Sequence, residues 1–189
     1  MVRGEIAGHA LIITATAIIS SILTIYVLKK RSQKKSVCTL NVCTTCSITK
    51  RDPTRINSDG TKHESGKQML GCLTEALQSS SQWVCIEENL YRENETGKLL
   101  RVNPMKCFSA CSKACNLSIA SPEKYQYHFG MLDPARSRDI EDLVCFAAEY
   151  VKRDDAVFTK SGERPESLRK DTTMARMPPT VPAVFEKQE

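Results

Sequence analysis

The 189 residues carry 27 lysines and arginines against 22 aspartates and glutamates, a formal charge of +5, with 41% hydrophobic and 26% charged residues. That is enough chain for one globular domain plus an anchor and tails, and the composition excludes wholesale disorder and a multi-spanning membrane protein. The nine cysteines are the anomaly: an odd number leaves one thiol over in any fully paired disulfide framework, so spacing and compartment must decide what they do.

From Ala10 to Leu28 no residue is charged, and these 19 positions at ~1.5 Å per helical residue span about 28 Å, one crossing of a lipid bilayer. A signal peptide would carry its charge before the apolar run. Here only Arg3 precedes it, while Lys29, Lys30, Arg31, Lys34 and Lys35 follow. A buried core helix is the other alternative, but nothing else in the chain could surround so apolar a segment. The positive-inside bias keeps the basic flank in the cytosol or its matrix or stromal equivalent, and therefore in a compartment where accessible thiols stay reduced. A span rich in Ala, Thr and Ser followed by lysines also resembles the signal anchors of mitochondrial membrane proteins. Two glycosylation tripeptides, starting at Asn94 and Asn116, are expected to stay bare on that side of the membrane.

Beyond the flank, Leu40 to Cys43 reads as a first strand that delivers Cys43 and Cys46 at its carboxyl end. Ser47 to Lys67 reads as a loop. Met69, Leu70, Leu73, Ala76 and Leu77 recur at helical steps and predict a helix from Gln68 to Gln78. Trp83 to Ile86 suits a strand, Glu87 to Lys98 a polar excursion at the surface, and Leu99 to Val102 a strand returning to the core. After the cysteine-rich turn, Leu117 to Ala120 and the alternating Tyr125 to Phe129 form a hairpin pattern around Ser121-Pro122-Glu123-Lys124. Asp133-Pro134 opens a helix with Ile140, Leu143, Val144, Ala147 and Val151 on one face. The expected division is an anchor with its basic flank over 1–35, a cysteine-rich domain over 36–153, and an extended, proline-containing tail over 154–189 that wraps the domain or reaches a partner. Strand, helix, strand, strand, hairpin, helix is the order of an α/β, thioredoxin-like layer of sheet and helices.

The chemistry lies in two cysteine groups, Cys43-x-x-Cys46 and, after 60 intervening residues, Cys107-x-x-x-Cys111-x-x-x-Cys115. A lone CxxC could be a redox pair, half a zinc site or chance. Two groups, each at the exit of a predicted strand, can bring four thiolates together, and both Zn²⁺ and a 2Fe–2S cluster accept four. Polar neighbours such as Thr44, Thr45, Ser109, Ser112 and Lys113 do not resemble a core. Cys72, Cys85 and Cys145, on apolar faces, read instead as small core hydrophobes, and Cys38 lies too near the linker to assign. His128 reads as a strand-face residue, although an imidazole could complete a zinc site. Lys106, Lys113 and Arg101 could favour thiolates and dock an acidic partner, or simply be solvated. No Gly-rich phosphate loop, HExxH, GxSxG or paired-carboxylate arrangement stands out, so neither an enzyme with its own substrate pocket nor a nucleic-acid partner is expected.

The run LNVCTTC, the later KCFSACSKAC leading into LSIASPEKYQYHFGMLDP, and the closing GERPESLRKDTTMARMPP resemble a bacterial family of small predicted metal-binding proteins of unestablished function, from Leu40 to Pro179. More distantly, CTTC followed by CFSAC, a hairpin and a helix is similar to thioredoxin-like 2Fe–2S ferredoxins. Their second ligand pair has the spacing of Cys107 and Cys111, and their first is wider than Cys43 and Cys46. The resemblance implies a 2Fe–2S cluster on Cys43, Cys46, Cys107 and Cys111, with Cys115 as a reserve ligand, in a membrane-tethered electron carrier or accessory redox subunit of a membrane complex. The alternative is a structural, zinc-bound or metal-free accessory subunit, and a third option is metal delivery or thiol exchange through the exposed pair.

Overall fold

The computed structural model describes residues 37–158, 161–170 and 173–179. The chain divides into two units, Met1–Lys35 and Ser36–Glu189, and every described residue belongs to the second. The expected membrane span and its basic flank lie outside the described residues. Among the described residues no helix is long and apolar enough to cross a membrane.

Seven strands form one sheet: β1 (Cys38–Cys43), β2 (Trp83–Glu87), β3 (Leu90–Glu93), β4 (Leu99–Met105), β5 (Leu117–Ala120), β6 (Gln126–Gly130) and β7 (Thr173–Met177), in the spatial order β2-β3-β4-β1-β5-β6-β7. β1 pairs in parallel with β4, Cys43 opposite Met105, and every other pairing is antiparallel. The helices are α1 (Ser65–Ser79), α2 (Ser137–Lys152) and the short α3 (Ser167–Lys170). In α1 the residues Met69, Leu73 and Leu77, four apart, form one buried stripe. α1 and α2 pack against each other and against the sheet. Cys38, Leu40 and Val42 alternate inward along β1 toward that core. The intervening register carries a polar row across neighbouring strands: Asn103 Nδ2 donates to Asn41 Oδ1 at 2.9 Å, Asn41 Nδ2 donates to Ser118 Oγ at 3.3 Å, and Ser118 stands opposite His128.

Several features differ from the sequence expectation. The stretch from Glu87 to Lys98 is not a mere excursion: it supplies β3, with Tyr91 and Glu93 each 1% exposed. A buried glutamate reads as solvent-facing in a sequence, but this carboxylate accepts the amides of Glu95 and Thr96 at 3.2 and 2.7 Å and the Thr96 hydroxyl at 2.7 Å. β4 continues through Pro104 because β3 pairs with it only as far as Arg101, so the outer side needs no amide there. Cys85 and Cys145 are exposed rather than core filler, one on edge strand β2 and one on the outer face of α2, while Cys72 is half-buried and Cys38 fully buried in β1. Of the two glycosylation tripeptides, the one at Asn116 is buried in the folded domain and the one at Asn94 is exposed.

The described part of the stretch from residue 154, namely 154–158, 161–170 and 173–179, expected as an extended tail over the domain or toward a partner, is built into the fold. Ala156, Phe158 and Leu168 are buried, and β7 pairs with β6 along its length. Tyr127 anchors it: its hydroxyl donates to Ala156 O at 2.8 Å and accepts the Phe158 amide at 3.1 Å, while its ring meets those of Phe146, Tyr150 and Phe158 edge-on. Replacing Tyr127 by Phe leaves a buried amide and carbonyl without their partner, a cost of about 1–3 kcal/mol. We expect Tyr127→Phe to lower the denaturation midpoint and to bring early proteolytic cleavage to residues 153–165; cleavage unchanged from wild type would mean the segment is not held by this contact.

Candidate thiolate metal centre

The parallel pairing of β1 and β4 sends both chains out at the same end of the sheet, and backbone bonds carry the alignment past the strand ends. Thr44 N–H donates to Met105 O at 2.8 Å and Thr45 N–H to Lys106 O at 3.3 Å, while Cys43 N–H is tied on its other side to Asn116 O at 3.1 Å. The Thr44 hydroxyl donates to Met105 O at 3.0 Å, and the Thr45 hydroxyl donates to Lys106 O. The CTTC turn is thereby fixed beside the loop that begins at Cys107.

From below, α1 closes on the same turn. Gly66 N–H donates to Cys46 O at 2.9 Å, and a side-chain carbon at Gly66 would stand 2.3 Å from Cys43 O and 2.8 Å from the Thr44 carbonyl. Only glycine permits this approach. The 3-10 turn Ile48–Lys50 brings the Lys50 ammonium to 3.4 Å from Cys111 Sγ.

The five cysteines sit in different surroundings. Cys107 is exposed, and the Ser109 amide, turned back by a left-handed φ of 59°, donates to its sulfur at 3.1 Å. That amide pulls the Cys107 thiol below the ordinary cysteine value. Cys111 is half-buried beside Lys50. Cys43 is buried and donates to Lys106 O at 3.5 Å. Cys46 is buried beside Cys43, accepts Asn116 Nδ2 at 3.5 Å, and is pushed up to about 11 by burial. Cys115 lies behind Cys46 at 0% exposure, and burial, reinforced by Cys46, pushes it up to about 12. No hydrogen bond reaches its sulfur among the described residues.

The turn that carries Cys43 and Cys46 and the loop that carries Cys107 and Cys111 thus lie side by side, with Cys43, Cys46 and Cys115 buried and Cys107 exposed. Among the described residues, no three His, Cys, Asp or Glu side chains already converge as a group that could hold a metal. His128 points to Asn116 rather than to a thiol, with Nε2 3.5 Å from Asn116 Oδ1 and its ring edge-on to Phe108 at 4.9 Å between centroids. Arg101 pairs with Glu87 at 3.3 Å. The residues that organise the site and that sequence reading passed over are Asn116, Lys50 and Gly66. Asn116 registered only as a glycosylation tripeptide, and Lys50 and Gly66 fell in what reads as a polar loop.

The two raised thiols dictate a pH dependence. A thiol held above its unfolded value of about 8.5 makes the folded state bind the extra proton, so its contribution is complete below that value and is lost as pH rises through about 11 and 12. The metal-free domain should therefore lose denaturation free energy between pH 8 and 10.5, and Cys115→Ala should lose less over the same interval. An equal loss in both proteins would place the alkaline sensitivity elsewhere.

Neither a curated protein nor a solved structure matches the chain. Residues 40–179 match the family described as "Protein of unknown function (DUF1636)", the same stretch over which the motif resemblance runs, taking in β1 to β7 and eight of the nine cysteines. The chain therefore belongs to the DUF1636 family of proteins of unknown function.

Proposed function

We propose that this protein is a membrane-anchored thiolate metal protein that holds a 2Fe–2S cluster on Cys43, Cys46, Cys107 and Cys111 and serves as an electron carrier or accessory redox subunit of a membrane complex. The observation that carries the reading is the set of N–H donors already aimed at the sulfurs: Ser109 N to Cys107 at 3.1 Å, Lys50 Nζ to Cys111 at 3.4 Å and Asn116 Nδ2 to Cys46 at 3.5 Å. A neutral thiol is a weak acceptor. Donors directed at three of four sulfurs suit thiolates, and hydrogen bonds to sulfur are among the levers that set a cluster's potential. Cys43, the fourth, donates its proton to a carbonyl and would release that proton on ligation. Cys115, deeper and without a donor, is the reserve.

The central strand order β4-β1-β5-β6, with a parallel β1–β4 pair followed by an antiparallel hairpin and a helix, supports the thioredoxin-like ferredoxin reading. The carboxyl ends of β1 and β4 are also where an open α/β sheet places its ligands. The span from Ala10 to Leu28 supplies the tether, and the basic flank after it assigns the domain to the cytosolic or matrix side, with a mitochondrial membrane the favoured site.

A second reading, a zinc-stapled or metal-free accessory subunit without redox work, rests on the absence of a converged ligand group among the described residues. In either metal reading the thiols must deprotonate and turn toward the ion on a backbone that is already placed. Cys107→Ser and Cys111→Ser should each abolish bound metal and lower stability by the metal's share of the folding free energy. Cys85→Ala and Cys145→Ala, both exposed, should leave metal content intact and change stability by less than about 0.5 kcal/mol. Metal analysis with parallel denaturation curves decides this, and equal metal loss in both pairs would contradict the assignment.

A further inference from the structure

Asn116 is 1% exposed and is bonded to both the CTTC turn and the loop between Cys107 and Cys111. Its carbonyl oxygen accepts the Cys43 amide at 3.1 Å. Its side-chain nitrogen donates to Cys46 Sγ at 3.5 Å and to Ala110 O at 2.8 Å, the latter within the loop between Cys107 and Cys111. Its side-chain oxygen faces His128 Nε2 at 3.5 Å. One residue thus spans the CTTC turn, the Cys107–Cys111 loop and strand β6. An amide oxygen only accepts, so the hydrogen of the neutral imidazole is assigned to Nε2, and that contact fixes which end of the amide faces the sulfur.

We propose that Asn116 is the positioning residue of the thiolate centre, oriented by His128, and that this pair sets the centre's metal affinity without touching the metal. The proposal rests on the thiolate reading above and names the residues that tune it. Outer partners that orient ligands change metal affinity ~10–100-fold when removed, although they bind nothing themselves. The polarity of the amide is what matters. With the nitrogen toward Cys46 it supplies a hydrogen bond to a thiolate, whereas a carboxylate in the same shape would set a negative charge against it.

His128 is suited to the orienting role because its surroundings are uncharged. Phe108 lies against its ring, Ser118 of β5 and Ala175 of β7 stand opposite it in register, and Asn116 faces Nε2. Burial lowers its pKa below the ordinary imidazole value, which keeps the ring neutral and the tautomer fixed at neutral pH. The polar row of Asn103, Asn41 and Ser118 leads across the sheet to the same histidine.

The test uses the full chain in detergent micelles, stripped of metal under argon and titrated with Co²⁺, whose thiolate complexes absorb strongly. Asn116→Asp preserves shape and removes the donor; it should weaken Co²⁺ binding by at least ~10-fold. His128→Gln keeps an N–H within reach of Asn116 and should stay within about twofold of wild type, whereas His128→Phe, which removes the donor, should lose about as much affinity as Asn116→Asp. The two His128 variants keep the test decisive if Asn116→Asp fails to fold. A merely structural role predicts something else: lower denaturation midpoints for metal-free variants, with unchanged Co²⁺ affinity and spectrum in the folded fraction. That result, or equal affinities for His128→Gln and His128→Phe, overturns the proposal while leaving the thiolate reading in place. A wild-type chain that takes up neither Co²⁺ nor iron overturns both.

Discussion

The parallel pairing of β1 with β4 is the constraint on which the rest depends. An antiparallel pair would send its two carboxyl ends in opposite directions, and the cysteines after each strand would lie at opposite edges of the sheet. Because the register places Cys43 opposite Met105, the CTTC turn and the loop from Cys107 leave side by side, and the bonds from Thr44 and Thr45 to Met105 and Lys106 keep them so. Segments whose cysteines are separated by 60 intervening residues lie side by side for that reason. The parallel connection needs a crossover, which α1 and the β2–β3 hairpin supply, and α1 closes against the turn through the one residue, Gly66, without a side chain to obstruct it.

The electrostatics grade the thiols by depth. At the rim, the Ser109 amide lowers Cys107 and an ammonium stands against Cys111, whereas inside, burial raises Cys46 and Cys115. An incoming cation would meet the easily ionised sulfur first and the reluctant ones last. Each inner proton released on ligation removes affinity at low pH, so binding should tighten as pH rises even though the metal-free domain weakens at alkaline pH. Asn116, donating to Cys46, offsets part of that burial cost where it is large.

Much of this architecture is legible in sequence. Period-two alternation in the strands and the four-residue steps of Met69, Leu73 and Leu77 locate the sheet and the helices, and the spacing of the cysteines identifies the segments that lie side by side. What fails is legible in physical terms. Glu93 is buried because it caps a turn, so its segment reads as solvated when it is a strand. Cys85 and Cys145 adjoin apolar residues along the chain, yet an edge strand and the outer face of a helix expose them. The residues after 154 are polar and proline-containing, but among the described ones three apolar side chains are buried and a strand pairs with β6. Asn116 illustrates the limit best. A tripeptide gives its chemistry as a glycan acceptor, and only the fold reveals four partners converging on it from three segments.

The central claim is that the thiolates hold iron rather than zinc or nothing. Thiolate-ligated iron absorbs visible light by charge transfer and has two accessible oxidation states, whereas zinc, a d¹⁰ ion, has neither property. The most direct measurement is the composition and spin state of the full chain purified without air. The account predicts reddish-brown protein with iron and acid-labile sulfide in equal amounts and an electron-spin signal that appears only after one-electron reduction. Colourless protein, whether it carries one zinc or folds with no metal at all, would contradict it.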